Sequence, residues 1–217
     1  MSLSRVLKTI KLIKSQVNDC VVPSVTQIDR KRNPYQVLIS CILSLRTKDK
    51  TTVQASKKLF KIADKPASML KLDSKRIQRL IYPVGFYRNK SKVILELSRK
   101  ILEDYSGKVP QSSNELLGLK GVGRKTANLV LGLGFGIPAI CVDTHVHRIS
   151  NRLGWVKTNN PEETELALQK IIPRNKWIEL NTLLVTFGQN LCFPVSPFCS
   201  KCRVYSLCKR RGVVKSR

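Results

Sequence analysis

Acidic residues are the scarce component of this chain. Only 14 Asp and Glu stand against 40 Lys and Arg in 217 residues, a formal charge of +26. That imbalance suits a surface that displaces counterions from a phosphate backbone, with an anionic membrane surface as the minor rival. A spanning helix is not expected, because no apolar run approaches the roughly 20 residues one needs. Aromatics are few, at 6 %, yet hydrophobic residues reach 42 %. That supplies core enough for one large or two small domains and argues against wholesale disorder. The opening Met1-Ser-Leu-Ser-Arg-Val-Leu has no secretory apolar region or small-residue cleavage site, so a cytoplasmic protein is expected.

Alternating strand patterns are missing as well, and helical periods take their place. Leu3, Val6, Leu7, Ile10 and Ile13 fall on one helix face. Pro34 suits a first helical position, and Tyr35 to Leu45 is apolar enough for a buried helix. Asp73 can cap a helix over 74–81 that turns Ile77, Leu80 and Ile81 inward. Val93, Leu97 and Ile101 mark another, ending near Tyr105-Ser-Gly107, and Ser112-x-x-Glu115 forms a capping box ahead of Leu116. Pro161 opens a helix with the acidic turn Glu162-Glu163, and Trp177, Leu180, Leu184 and Phe187 trace one more. The expected fold class is all-α with short loops, and the basic tail from Lys209 to Arg217 is expected to fray.

Gly118, Gly123, Lys125 and Thr126 look at first like the end of a phosphate-binding P-loop, with Pro138-Ala-Ile-Cys-Val-Asp143 as a mimic of a magnesium-binding strand. Arg124 intrudes before Lys125, however, and a capped helix precedes the glycines instead of a strand, so the motif lacks its context. Helix, glycine turn, helix fits better. Gly118 can end the first helix, while Gly121 and Gly123 allow a tight bend and close approach of a ligand. Amides at the start of the next helix then face an anion, and Leu116, Leu117, Leu119, Val130 and Leu131 would pack the two helices together.

Seven cysteines are present. Cys20, Cys41 and Cys141 are scattered, the last two in apolar runs, and read as small core residues. The other four close the chain as Cys192-x6-Cys199-x2-Cys202-x5-Cys208. Four thiolates at such spacing can hold zinc or a four-iron cluster. Only one short knuckle is present, and the wider gaps suit the larger group.

Three motifs in order, Leu119-Lys-Gly-Val-Gly-Arg-Lys-Thr-Ala127, Val142-Asp-Thr-His145 and the cysteine spacing, resemble endonuclease III, the iron–sulfur branch of the helix–hairpin–helix DNA glycosylases. The resemblance runs from about Pro34 to Cys208. It implies a helical barrel over 28–137, with the hairpin at about 113–133, and a second domain joining 1–27 to 138–217, with DNA in the groove between them. It implies one four-iron, four-sulfur cluster on Cys192, Cys199, Cys202 and Cys208. It also implies a prokaryotic monomer that excises oxidised pyrimidines from duplex DNA and nicks the abasic strand. Adenine-mismatch glycosylases share the cluster but lack the lysine matching Lys125, and several 8-oxoguanine glycosylases have the lysine but lack the cluster.

The chemistry suits these residue types. A flipped nucleotide exposes sugar C1′; an amine attacks there, expels the base and forms an imine, and the 3′ phosphate then leaves by β-elimination. The resemblance gives the amine to Lys125, and gives Asp143 the task of assisting base departure beside a cationic sugar. Free Lys titrates at about 10.4, so the site has to favour the neutral amine, and Arg124 contributes to that. Two plainer roles stay open: Lys125 as a phosphate contact, and Asp143 as the cap of a helix carrying Val146, Ile149 and Leu153.

The family's residues for filling the hole left by a flipped base align with Arg46 and Phe86; a surface arginine and a core phenylalanine are the plain alternatives. Lys120, Gly121, Gly123, Arg124 and His145 complete the expected DNA contacts. Lys120 stands where the family usually has Pro. The loop from Cys192 to Cys199 has no basic residue, unlike bacterial relatives, which leaves Lys201 and Arg203 to take its place. A DNA-binding module without catalysis is the rival reading, and it gives no reason for Lys125 and Asp143 to occur together.

Overall fold

The computed structural model describes residues 2–28 and 33–217. In chain order the helices are α1 (Leu3–Gln16), α2 (Ser24–Ile28), α3 (Pro34–Ser44), α4 (Asp49–Phe60), α5 (Pro66–Met69), α6 (Ser74–Ile81), α7 (Tyr87–Asp104), α8 (Ser113–Leu117), α9 (Arg124–Leu129), α10 (Thr144–Leu153), α11 (Pro161–Ile171) and α12 (Trp177–Asn190). A π-helical turn, Val130–Gly134, extends α9, and short 3-10 turns follow α11 and α12. The fold is all-α, with no strand among the described residues. No helix there is long and apolar enough to cross a membrane. Two compact units divide the chain: Ser24–Ala139, and Met1–Pro23 with Ile140–Arg217.

The unit from Ser24 to Ala139 is built around α3. Asn33 caps it, its side chain accepting from the amides of Tyr35 and Gln36, and Pro34 occupies the first turn. Tyr35 and every residue from Val37 to Leu43 are buried, so this helix is enclosed on all sides, as a core helix is. Ile77 and Ile81 of α6 and Ile94, Leu97 and Ile101 of α7 join it in one apolar cluster, with Val25 of α2 at its margin. Asp73 caps α6, accepting from Arg76 N at 2.6 Å. The α7 chain reverses through Ser106 and Gly107, both left-handed, with Gly107 N bonded back to Ile101 O at 2.9 Å.

In the other unit α1, α10, α11 and α12 enclose a second cluster. Val6, Ile10 and Ile13 of α1 are buried there, whereas Leu3 and Leu7 stay exposed. The expected five-residue stripe is therefore narrower: Thr9, not Leu7, completes the buried face, its hydroxyl bonded to Arg5 O at 2.7 Å. Cys20 packs at the edge of this cluster, while Cys41 and Cys141 are buried. The basic tail is held down rather than frayed. Arg217 N donates to Pro197 O at 2.8 Å, its guanidinium lies 4.1 Å from the Phe198 ring centre, and Arg211 reaches Val156 O at 3.0 Å.

Gly134 marks a close approach in the α3 unit: a Cβ there would stand 2.8 Å from Pro34 Cα. Helix propensity alone favours Ala over Gly by about 1 kcal/mol. The clash should reverse that sign, so Gly134→Ala is expected to lower unfolding free energy by roughly 1–3 kcal/mol in urea titration.

Candidate active site

The hairpin lies in the α3 unit. Ser112 caps α8, accepting from Glu115 N at 3.3 Å, and its hydroxyl donates to the Glu115 carboxylate, a tighter local pairing than the expected capping box. Leu116 and Leu119 are buried, Leu117 is exposed, and Val130 and Leu131 close the far side. Val122 N bonds to Leu119 O at 3.1 Å, closing a four-residue turn with Lys120 and Gly121 at its centre. Gly121 has φ +80° and Lys120 does not have positive φ, the pattern of a type II turn. Gly121 is thus required by backbone geometry, and a Cβ there would also press Val93 Cγ1 at 3.2 Å.

Gly123 differs. It caps α9 in extended conformation, and a Cβ would meet nothing within 4 Å. Its missing side chain leaves open space in front of the helix start. Arg124 and Lys125 follow on the first turn and are exposed. Lys120 pairs with Glu96 of α7 at 2.9 Å. Both partners are exposed, so the pair contributes at most about 1 kcal/mol and a phosphate can displace it.

In the same unit, the loop after α3 and the turn before α7 bring Arg46 and Phe86 together. Both hold left-handed backbone, φ 51° and 57°, a conformation that costs a side-chain-bearing residue about 1–3 kcal/mol. The guanidinium lies 5.8 Å from the Phe86 ring centre. Phe86 is 64 % exposed and so is not a core residue.

Asp143 lies in the other unit, at the start of α10. Its Oδ1 accepts from His145 N and Val146 N, both at 2.9 Å. The capping role is real, and it fixes the carboxylate. Below it, Arg148 Nη2 approaches His145 Nδ1 at 3.2 Å and donates to Cys192 O at 2.8 Å. Burial is the largest influence on Arg148 and pushes it below the ordinary arginine value. Gly188 of α12 makes room for this contact: a Cβ there would overlap His145 Nδ1 and stand 2.9 Å from Arg148 Nη2.

Cys192, Cys199, Cys202 and Cys208, all free of disulfides, line one cavity with Ile149, Phe187 and Arg152. Among the described residues no three His, Cys, Asp or Glu converge tightly enough to hold a single metal ion. Burial pushes the Cys202 thiol up to about 11 and raises Cys208. Arg210 N donates to Cys208 Sγ at 3.4 Å and Arg152 Nη1 to Cys192 Sγ at 3.5 Å. Arg152 also donates to Phe193 O and Pro194 O, each at 2.6 Å, which pins the Cys192–Cys199 loop. Arg203 turns to Ser15 and Gln16 of α1, while Lys201 lies 5.7 Å from the Phe198 ring centre.

Comparison with known proteins decides what these arrangements belong to. Residues 39–174 match the model of the HhH-GPD superfamily of base excision DNA repair proteins. Endonuclease III of Thermotoga maritima is 50 % identical over 186 residues, spanning 84 % of this chain and 87 % of that protein. The chain belongs to the endonuclease III family. A trapped endonuclease III–DNA covalent intermediate superposes with TM-score 0.84 at 32 % identity, covering 97 % of each chain. A thermostable thymine-DNA glycosylase gives 0.83 at 28 % identity, covering 95 % of this chain and 96 % of its own.

Against that family, the structure gathers the expected residues into local groups. Lys120, Gly121, Gly123, Arg124 and Lys125 share the hairpin turn; Arg46 meets Phe86; Asp143 and His145 share a helix start; the four cysteines share a cavity. Sequence reasoning missed Lys90 and Arg148. Lys90 is a cation on the buried stripe of α7, four residues before Ile94, which is the signal that could have found it. Burial pushes it down to about 8. For Arg148, no comparable signal exists.

If the contact between His145 and Arg148 sets the start of α10, crowding it should cost activity more than stability. Gly188→Ala is expected to slow nicking of abasic duplex by roughly tenfold or more, at a stability cost of a few kcal/mol at most. Steady-state rates beside thermal melts check this.

Proposed function

We propose that this base excision repair enzyme removes an oxidised pyrimidine from double-stranded DNA and nicks the abasic strand. Lys125 is the nucleophile, and Asp143 is the carboxylate that assists departure of the base. One observation carries the reading: a lysine stands exposed on the first turn behind a glycine turn whose front is open. Backbone amides and the cations Arg124 and Lys120 then meet a DNA phosphate, and His145 adds a contact beside Asp143. We place the enzyme in the cytoplasm of a prokaryotic cell, acting as a monomer.

The steps balance as follows. The neutral amine of Lys125 forms a bond to C1′ as the bond from C1′ to the base breaks, and the base leaves with the electron pair and a proton. Positive charge develops on the sugar opposite Asp143, a carboxylate that accepts hydrogen bonds from two main-chain amides. Ring opening yields the imine, which acidifies the C2′ proton. Loss of that proton expels the 3′ phosphate and nicks the strand, and water then hydrolyses the imine, which breaks the bond to C1′ and frees the Lys125 amine. Bound DNA supplies the dry surroundings that the exposed Lys125 lacks in the protein alone. Arg46 and Phe86 occupy the gap vacated by the flipped nucleotide, ring against base and guanidinium toward the orphaned partner.

The four cysteines fit a four-iron, four-sulfur cluster. They line one cavity, and N–H groups are aimed at two of the sulfurs. Thiols raised by burial stay protonated unless a bound cation holds them as thiolates. When bound, the cluster supplies a rigid cross-link and takes no part in the bond changes above.

Three outcomes test this reading. Borohydride should trap wild-type protein covalently on abasic DNA, and Lys125→Ala should abolish trapping; undiminished trapping would remove Lys125 from the role. Asp143→Asn keeps a capping side chain but loses the charge. It should retain the wild-type melting temperature while base excision falls by roughly a hundredfold or more. Iron and sulfide analysis of purified protein should find about four of each per chain, and Cys202→Ser should lower both. A panel of oxidised-pyrimidine, thymine- or uracil-mismatch and 8-oxoguanine duplexes, scored for excision and nicking, assigns the lesion class.

A further inference from the structure

Arg46 and Phe86 belong to loops far apart in sequence, both in left-handed backbone, and something must hold them face to face. A single buried side chain ties the Arg46 loop to the helix that starts at the Phe86 turn. Lys90, on the first turn of α7, is 5 % exposed. Its Nζ donates to Leu43 O at 2.9 Å, Leu45 O at 2.5 Å and Thr47 Oγ1 at 3.2 Å. Three N–H groups meet three acceptors, which satisfies a charged ammonium in full. Leu43 O lies in the last turn of α3, at the negative end of that helix. Thr47 Oγ1 in turn accepts from Gly85 N at 3.2 Å. The two backbones touch here, since a Cβ on Gly85 would stand 2.6 Å from Arg46 O.

We propose that Lys90 is the positioning residue of the inserting pair: through Thr47 and Gly85 it locks the Arg46 loop to the Phe86 turn in the geometry that enters the duplex. This rests on the reading that Arg46 and Phe86 insert. Lys90 touches no DNA and no reacting atom. A buried cation whose acceptors are two carbonyls and a hydroxyl is a costly way to close a helix end, because desolvation is not offset by a carboxylate. Water would satisfy the same carbonyls if the loops were free to open. What the ammonium adds is a fixed relation between the two loops, and that relation matters only where side chains have to enter a stacked duplex together.

The test compares two substrates of the same protein. An abasic site in duplex DNA requires insertion, whereas an abasic site in a single-stranded oligonucleotide does not. Lys90→Met should slow nicking of the duplex by roughly tenfold or more, while borohydride trapping on the single strand changes by less than about twofold. Parallel loss on both substrates would reduce Lys90 to a folding residue, and no loss on either would dismiss it. Thr47→Val removes the shared hydroxyl at smaller cost to the core, and should give the same selective loss; it carries the test if Lys90→Met does not fold. Phe86→Ala separates the two claims. If it leaves the duplex-to-single-strand ratio unchanged, insertion itself fails. If it lowers the ratio and neither Lys90→Met nor Thr47→Val does, only the role of Lys90 fails.

Discussion

A chain with 40 basic and 14 acidic side chains cannot pair its cations with carboxylates, and much of its architecture follows from what they pair with instead. Carbonyls left over at helix ends and in loops are the first substitute. Lys90 takes those of Leu43 and Leu45, Arg152 those of Phe193 and Pro194, and Arg148 that of Cys192. Aromatic faces are the second: Arg210 sits 4.2 Å from the centre of Tyr205, and Arg217 sits over Phe198. Forty cations against fourteen carboxylates leave a surplus of positive charge, and a phosphate backbone is the counter-charge that suits it.

The same scarcity sharpens the role of Asp143. In so positive a protein carboxylates are scarce, and two main-chain amides help to set the orientation of this one. A group held in that way does not have to reorganise as charge develops nearby, which is the condition for the electrostatic role proposed for it. The hairpin uses the opposite means. Gly121 is demanded by the turn, whereas a Cβ on Gly123 would meet nothing within 4 Å, and that open face is what the proposed phosphate contact rests on.

Much of this was legible in the sequence. Helices α3, α6, α10 and α12 stand where apolar residues and capping residues put them, and the tight bend expected at Gly121 is a type II turn. Helix α4 was not legible, because its buried face is Thr52, Ala55, Ser56 and Leu59, small and mostly polar residues that leave no hydrophobic period. Leu3, Leu7 and Leu117 look like core residues and are exposed, since a helix seats only a narrow stripe and single apolar residues on a surface are ordinary. The docked tail was hidden for a different reason: main-chain bonds and cation–ring contacts leave no trace in composition. Lys90, Arg148 and Arg152 were hidden because a basic residue is read by default as solvent-facing.

Helix α7 links several of these observations. Its first turn carries Lys90, which ties the Arg46 loop to the Phe86 turn. Further along, Val93 lies directly beneath Gly121, and Glu96 pairs with Lys120. One rigid element therefore supports both the side chains read as inserting into the duplex and the turn read as gripping its backbone. Lys120 makes sense in this setting. A proline at that position would stiffen the turn internally, since it presets φ for the second residue of a type II turn. Lysine leaves the turn softer but fastens it to α7 through Glu96, and it keeps a cation that a phosphate can recruit when DNA arrives. What stiffness the pair adds comes from outside the turn, through a contact weak enough for a phosphate to displace.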